Sequence, residues 1–178
     1  MNLKLCFGTL ITSALLLTVG GINAYAQAPS DSQIAQIVQT ANQIDINQAK
    51  LALSKTADAQ VKEFANQMIS DHTNLKRSVN DLAKKLGVTP EDSATSRQLE
   101  QQGSEEAQKL RSLHGSAFDK EYVAHEVAFH QAVIDAAKST LIPNAKNVEL
   151  KSALENAAPL LQGHLEHAQQ LQQSLGSK

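Results

Sequence analysis

The chain has 178 residues, with 16 Lys and Arg against 18 Asp and Glu, a formal charge of −2 at neutral pH. That balance, with no basic run interleaved with aromatics, argues against a nucleic-acid partner. A single cysteine excludes a disulfide framework, and two tyrosines, four phenylalanines and no tryptophan exclude stacking platforms for bases or sugars.

The chain opens like an exported protein. Lys4 supplies a positive start, Leu10 to Val19 an apolar stretch, and Ala24-Tyr25-Ala26 a small-x-small cleavage site, so residues 1–26 read as a secretory signal and residues 27–178 as one mature domain. Cys6 lies before the apolar stretch rather than at the cleavage point, which argues against lipidation. Without Lys4 the mature chain has 15 basic residues against 18 acidic, no thiol, and no stretch of ~20 apolar residues to cross a membrane. Its 152 residues suffice for one core, and periplasmic or envelope residence is expected.

Residues 31–55 carry Ile34, Ile37, Val38, Ala41, Ile44, Leu51 and Ala52 at helical spacing, with Ser30 or Asp31 as N-cap. Asp45 lies beside this stripe. Its position fits a solvated edge residue somewhat better than an inward partner for a buried group.

Residues 61–86 form the strongest helical pattern, with Val61, Phe64, Ala65, Met68, Leu75, Val79, Leu82 and Leu86 on one side. His72 falls on that stripe and Asp71 at its edge. Burying such groups costs free energy unless each finds a partner. Asp58 is the natural N-cap, and Gly87 with Pro90 the stop.

Residues 93–113 are rich in Gln, Ser and Glu, with only Leu99, Ala107, Leu110 and Leu113 as apolar anchors. This predicts a helix with a narrow buried face, interrupted or weakened at Gly103. After His114-Gly115, Ser116 with Asp119 resembles a capping box for a helix over 118–138. There Tyr122, Glu126 and His130 follow at four-residue steps, a plausible hydrogen-bond ladder, with His125 nearby. Pro143-Asn144 marks a loop over 141–146. The last helix, about 147–175, places His164 on its stripe between Leu161 and Ala168, with a kink expected at Pro159. His114 and His167 read as surface residues.

With no strand pattern or internal repeat, the pattern predicts an all-α antiparallel helical bundle. His72, His130 and His164 come from three of its helices, and Asp71, Glu126 and Asp45 lie close in sequence or register. Together they are candidate ligands for a divalent metal such as Zn, Cu or Fe, to which Met68 could add a soft sulfur. The same groups could instead form a buried hydrogen-bonded network that only fixes helix register in a structural or interaction module. No nucleophile arrangement or phosphate loop points to an enzyme, and a protein partner or homo-oligomer is left open.

The run FANQMISDHTNL over residues 64–75, Phe118-Asp119-x-x-Tyr122 with His130 eight residues later, and the segment from Pro159 to His164 resemble the DUF4142 family of exported bacterial proteins. The resemblance spans nearly the whole mature chain. It implies a ferritin-like four-helix bundle with an additional helix, in the bacterial periplasm or envelope, without established activity. It also implies a distant similarity to DUF305, which includes copper-binding proteins. One departure is informative: di-iron carboxylate bundles use Glu-x-x-His pairs. Here Ile69, Val127 and Leu161 stand three residues before the histidines, so any metal site would be histidine-rich, closer to zinc or copper.

Overall fold

The structure is a computed structural model describing residues 28–177, so the predicted secretory signal lies outside the described residues. Helix α1 spans Asp31–Lys55, α2 Ala59–Leu86, α3 Ala94–Ser112 and α4 Gly115–Ala136. A π-helical turn, Ala137–Leu141, leads into the short α5, Ile142–Asn144, and α6 runs Val148–Gly176.

Local chemistry sets these bounds. Ser30 closes a reciprocal capping box with Gln33, Asp58 accepts from the Gln60 and Val61 amides, and Asn147 accepts from Glu149 and Leu150. Asp31 is not the cap of its own helix. Its carboxylate reaches across the fold to the Lys146 and Asn147 amides, tying the start of α6 to the start of α1. Gly87 ends α2 with φ +64°, the left-handed conformation that favours glycine.

Three boundaries differ from the sequence pattern. The fourth helix begins earlier, behind His114, which makes no side-chain cap, so Ser116 lies inside the helix and Asp119 is buried rather than capping. The chain stays helical through Asn144, because Pro143 sits in the first turn of α5, where its missing N–H costs nothing. Helix α3 is continuous through Gly103, because that glycine is a contact point. A Cβ there would stand 2.8 Å from Ile44 Cγ1, so its absence lets α3 close onto α1.

Helices α1, α2, α4 and α6 form the bundle. Along α2 the partners in α6 run backwards, from Gln60 with Ser174 through Gln67 with His167 and Asp71 with His164 to Lys85 with Glu149. The two helices are therefore antiparallel. Helix α3 runs alongside α1 in the same direction, with Glu91 bonding to Ser32 before it starts, Gly103 on Ile44, and Arg111 accepting from Lys55. It carries the chain back along the bundle, so α4 starts at the same end as α2. This is the one-crossover arrangement of ferritin-like bundles, with α3 as the additional helix.

Burial explains the core. One apolar cluster gathers Ala49, Val61, Phe64, Met68, Phe118, Tyr122, Ala168 and Leu171 with their neighbours. A second gathers Ile34, Ile37, Leu141, Ala145, Leu150 and Leu154. Between these clusters each of the four bundle helices also buries polar residues: Asn42 and Asp45, then His72, then Glu126 and His130, then His164. The core is thus two apolar halves separated by one polar layer.

Candidate metal centre

The three histidines predicted to face inward meet in that layer. His72, His130 and His164 are at most 2% exposed, and their ring centroids lie 5.5, 5.1 and 5.3 Å apart pairwise. One nitrogen of each ring lies within 4.8 Å of one from each of the others.

Each ring also has one nitrogen engaged and one bare. The Asn42 amide nitrogen donates to the Val38 carbonyl at 2.7 Å, which leaves Asn42 Oδ1 to accept from His72 Nδ1–H at 2.9 Å. His130 Nδ1–H donates to the Glu126 backbone carbonyl at 3.0 Å. His164 Nε2–H donates to Asp71 Oδ2 at 2.9 Å. The remaining nitrogens, His72 Nε2, His130 Nε2 and His164 Nδ1, are buried without a hydrogen-bond partner among the described residues. In a neutral ring, fixing one nitrogen as a donor leaves the other as a lone-pair acceptor, so His72 and His164 present lone pairs to the centre, and His130 adds a third once its second proton is lost.

The carboxylates sit around this triad. Asp45, 2% exposed, is not the solvated edge residue its position in the stripe favoured. Helix α1 packs against both α2 and α4, and Asp45 lies on the side turned toward His72 and Glu126. Asp45 Oδ2 stands 3.5 Å from His72 Nδ1. Glu126 is wholly buried, with Oε2 3.4 Å from His130 Nδ1. The expected ladder of phenol, carboxylate and imidazole forms only in outline, since His130 prefers the Glu126 carbonyl and the Tyr122 hydroxyl makes no hydrogen bond of good geometry. Asp71 reaches solvent, its side chain 26% exposed, and is the hydrated edge of the layer.

Electrostatics divide the histidines. Burial, then the neighbouring His130 and His164, pushes His72 down to about 3. Burial lowers His164 as well, against the pull of Asp71. Burial acts on His130 in the same sense, but the Glu126 carboxylate and Asp45 more than offset it and hold His130 at about 9. Asp45 is raised well above the usual carboxylate range by burial and then by the charge on Glu126. Burial, followed by the Glu126 and Asp45 charges, likewise raises Tyr122.

Other predicted residues fall outside the triad. Met68 packs in the first apolar cluster. His114 is exposed as expected, whereas His167 is half-buried, bonded to Gln67 at 3.1 Å with its ring 5.1 Å from Phe64. His125 stacks on Phe129. Asn42 was not singled out by the sequence pattern. The available signal was an amide four residues after Val38 on a buried helix.

Comparison with solved structures finds similar bundles. A structure described as a secreted DUF305 protein from Streptomyces coelicolor is 14% identical, covering 81% of this chain and 92% of its own, with a TM-score of 0.69. CopM in its Cu(II)-bound form is 17% identical, covering 82% and 98%, with a TM-score of 0.63. No curated protein matches the chain. The family model described as a domain of unknown function, DUF4142, matches residues 20–171, and the chain belongs to that family.

Proposed function

We propose that this protein binds a divalent transition-metal ion through His72 Nε2, His130 Nε2 and His164 Nδ1, as an exported protein of the periplasm or envelope. One observation carries the reading. Three buried imidazoles each have one nitrogen held by a hydrogen bond and the other bare, and one nitrogen of each ring lies within 4.8 Å of one from each of the others. A network that served only helix register would pair such atoms with one another, because each unsatisfied buried acceptor costs about 1–3 kcal/mol. Metal-bound histidines, in contrast, commonly donate the second ring nitrogen to a carbonyl, amide or carboxylate, as Asn42, Glu126 and Asp71 receive it here.

Three imidazoles suit zinc or copper, and a carboxylate or water would complete four-coordination. The Cu(II)-bound state of CopM, a bundle of similar fold, supports copper as the first ion to try. Chemically the site is a holder of the ion rather than a reaction centre. It is buried on all sides but the Asp71 edge, and no side chain among the described residues is arranged as a nucleophile with a base.

The test is elemental analysis of the untagged mature protein purified without chelator, with melting curves in the presence of Zn²⁺, Cu²⁺ and Fe²⁺. Bound metal and a rise in Tm that vanish in His72→Ala and His164→Ala support the reading. Absence of metal and of any shift would make the histidines core struts. In that case the module reading stands, although among the described residues α3 exposes no large hydrophobic side chain to a partner.

A further inference from the structure

Beside the histidine triad lies a second group of buried donors. One ligand atom each from Asp45, Glu126 and His130 lies within 4.8 Å of the others. Three of the four carboxylate oxygens, Asp45 Oδ1 and both of Glu126, have no hydrogen-bond partner among the described residues. The fourth, Asp45 Oδ2, faces a His72 N–H already directed at Asn42.

Two further buried polar groups lie one helical turn along from these carboxylates. Tyr122 is wholly buried one turn before Glu126. Its hydroxyl is close enough to both carboxylates to feel their charge, yet it makes no hydrogen bond of good geometry. Gln48, one turn beyond Asp45 on α1 and 2% exposed, leaves both amide atoms without a partner. A proton shared between the carboxylates would satisfy two oxygens and leave the other acceptors bare. A cation can be contacted by several oxygens at once, and it cancels the repulsion between two carboxylates in a dry core.

We propose that Asp45 and Glu126, with the Tyr122 hydroxyl beside them, form a second, oxygen-donor cation site next to the histidine triad, so that the polar layer takes up two divalent ions side by side. The proposal rests on the histidine-centre reading for its neighbour, but not for its own ligands. Carboxylate oxygens suit a hard ion such as Mn²⁺, whereas imidazoles suit zinc or copper, so Mn²⁺ is the ion that tells the two halves apart.

The experiment loads the full mature chain with Zn²⁺ and, separately, with Mn²⁺, removes free metal by gel filtration, and counts bound ions by mass spectrometry. The wild type is expected to hold about two Zn²⁺. Asp45→Asn with Glu126→Gln is expected to hold about one Zn²⁺ and to lose Mn²⁺ binding at least tenfold. His72→Ala with His164→Ala is expected to keep about one Zn²⁺ and its Mn²⁺. Should the double carboxylate variant fail to fold, Glu126→Gln alone, isosteric and uncharged, reads the same loss. A wild type saturating at one Zn²⁺, unchanged in Glu126→Gln, overturns the second site. Failure of the histidine reading looks different: His72→Ala with His164→Ala would then bind as many ions as the wild type.

Discussion

Asn42 holds His72 in one tautomer: its amide nitrogen is committed to the Val38 carbonyl, so only its oxygen faces the imidazole, and that oxygen takes the Nδ1–H at 2.9 Å. The bare Nε2 is the consequence. Replacing Asn42 with Leu keeps the volume and removes the acceptor, freeing the ring to turn or change tautomer. Outer contacts of this kind are worth about 10–100-fold in metal affinity. Asn42→Leu is therefore expected to weaken Zn²⁺ or Cu²⁺ binding by that factor. It also removes the acceptor of the His72 N–H and leaves it only Asp45 Oδ2 at 3.5 Å, a loss of up to about 1–3 kcal/mol in metal-free stability. Competition titration against a chromophoric chelator measures the first effect and urea unfolding the second. An affinity within twofold of wild type would separate Asn42 from the centre.

Asp71 makes the equivalent contact to His164 from the wet side of the layer, with its side chain 26% exposed. Substitution by Asn keeps a hydrogen-bond acceptor and removes the charge. Solvent screens an exposed pair, so the folded state loses little, on the order of 0–1 kcal/mol. The ion's approach depends on that charge more strongly, because a carboxylate at the mouth of a dry layer attracts cations. Asp71→Asn is expected to slow metal association several-fold with Tm nearly unchanged. Stopped-flow mixing with Zn²⁺ at low and high salt checks this, and the gap between variant and wild type should shrink as salt rises.

The inward histidines were legible in the sequence because helical periodicity says which residues share a face, and His72, His130 and His164 interrupt apolar stripes. Their meeting at one height was not, since axial register between helices depends on loops and caps that periodicity does not see. Asp45 shows the limit most clearly. The pattern gave α1 one buried side, but α2 and α4 both close on the helix, so a residue at the edge of the stripe faces His72 and Glu126 in the core. Tautomers were equally out of reach, because they depend on an amide, a carbonyl and a carboxylate from three different helices.

Gly103 tests the crossover directly. In an isolated helix Gly→Ala gains about 1 kcal/mol, but here the new Cβ would stand 2.8 Å from Ile44 Cγ1, and overpacking costs about 1–3 kcal/mol. Gly103→Ala is expected to be neutral to destabilising by up to about 2 kcal/mol. Pairing it with Ile44→Ala should be less damaging than the two single effects added, because the smaller side chain makes room. Ile44 precedes Asp45, so metal affinity should also fall in the single variant and recover in the pair. Strict additivity in urea unfolding would mean that α3 does not close on α1 at this point.

The opposed shifts of the histidines give the metal-free protein two pH limbs. His72, held at about 3, and His164, also lowered, return to about 6.5 when the chain unfolds. Below 6.5 the unfolded state therefore binds more protons, and stability is lost as the pH falls from there toward 3. His130, held at about 9, works the other way: its contribution is complete below 6.5 and is lost as the pH rises to 9. The metal-free Tm should thus be greatest near pH 6–7, and His130→Gln should flatten the alkaline limb and, by removing the charge that helps lower His72 and His164, make the acid limb shallower. Metal binding follows the same proton. An ion bound to His130 Nε2 must displace it, so affinity should rise about tenfold per pH unit from 6.5 to 9 and level off above. Titration calorimetry in buffers of different ionisation enthalpy should find about one proton released per ion at pH 7.5. An affinity independent of pH over that range would remove His130 from the ligand set, leaving His72 and His164 as a two-nitrogen site.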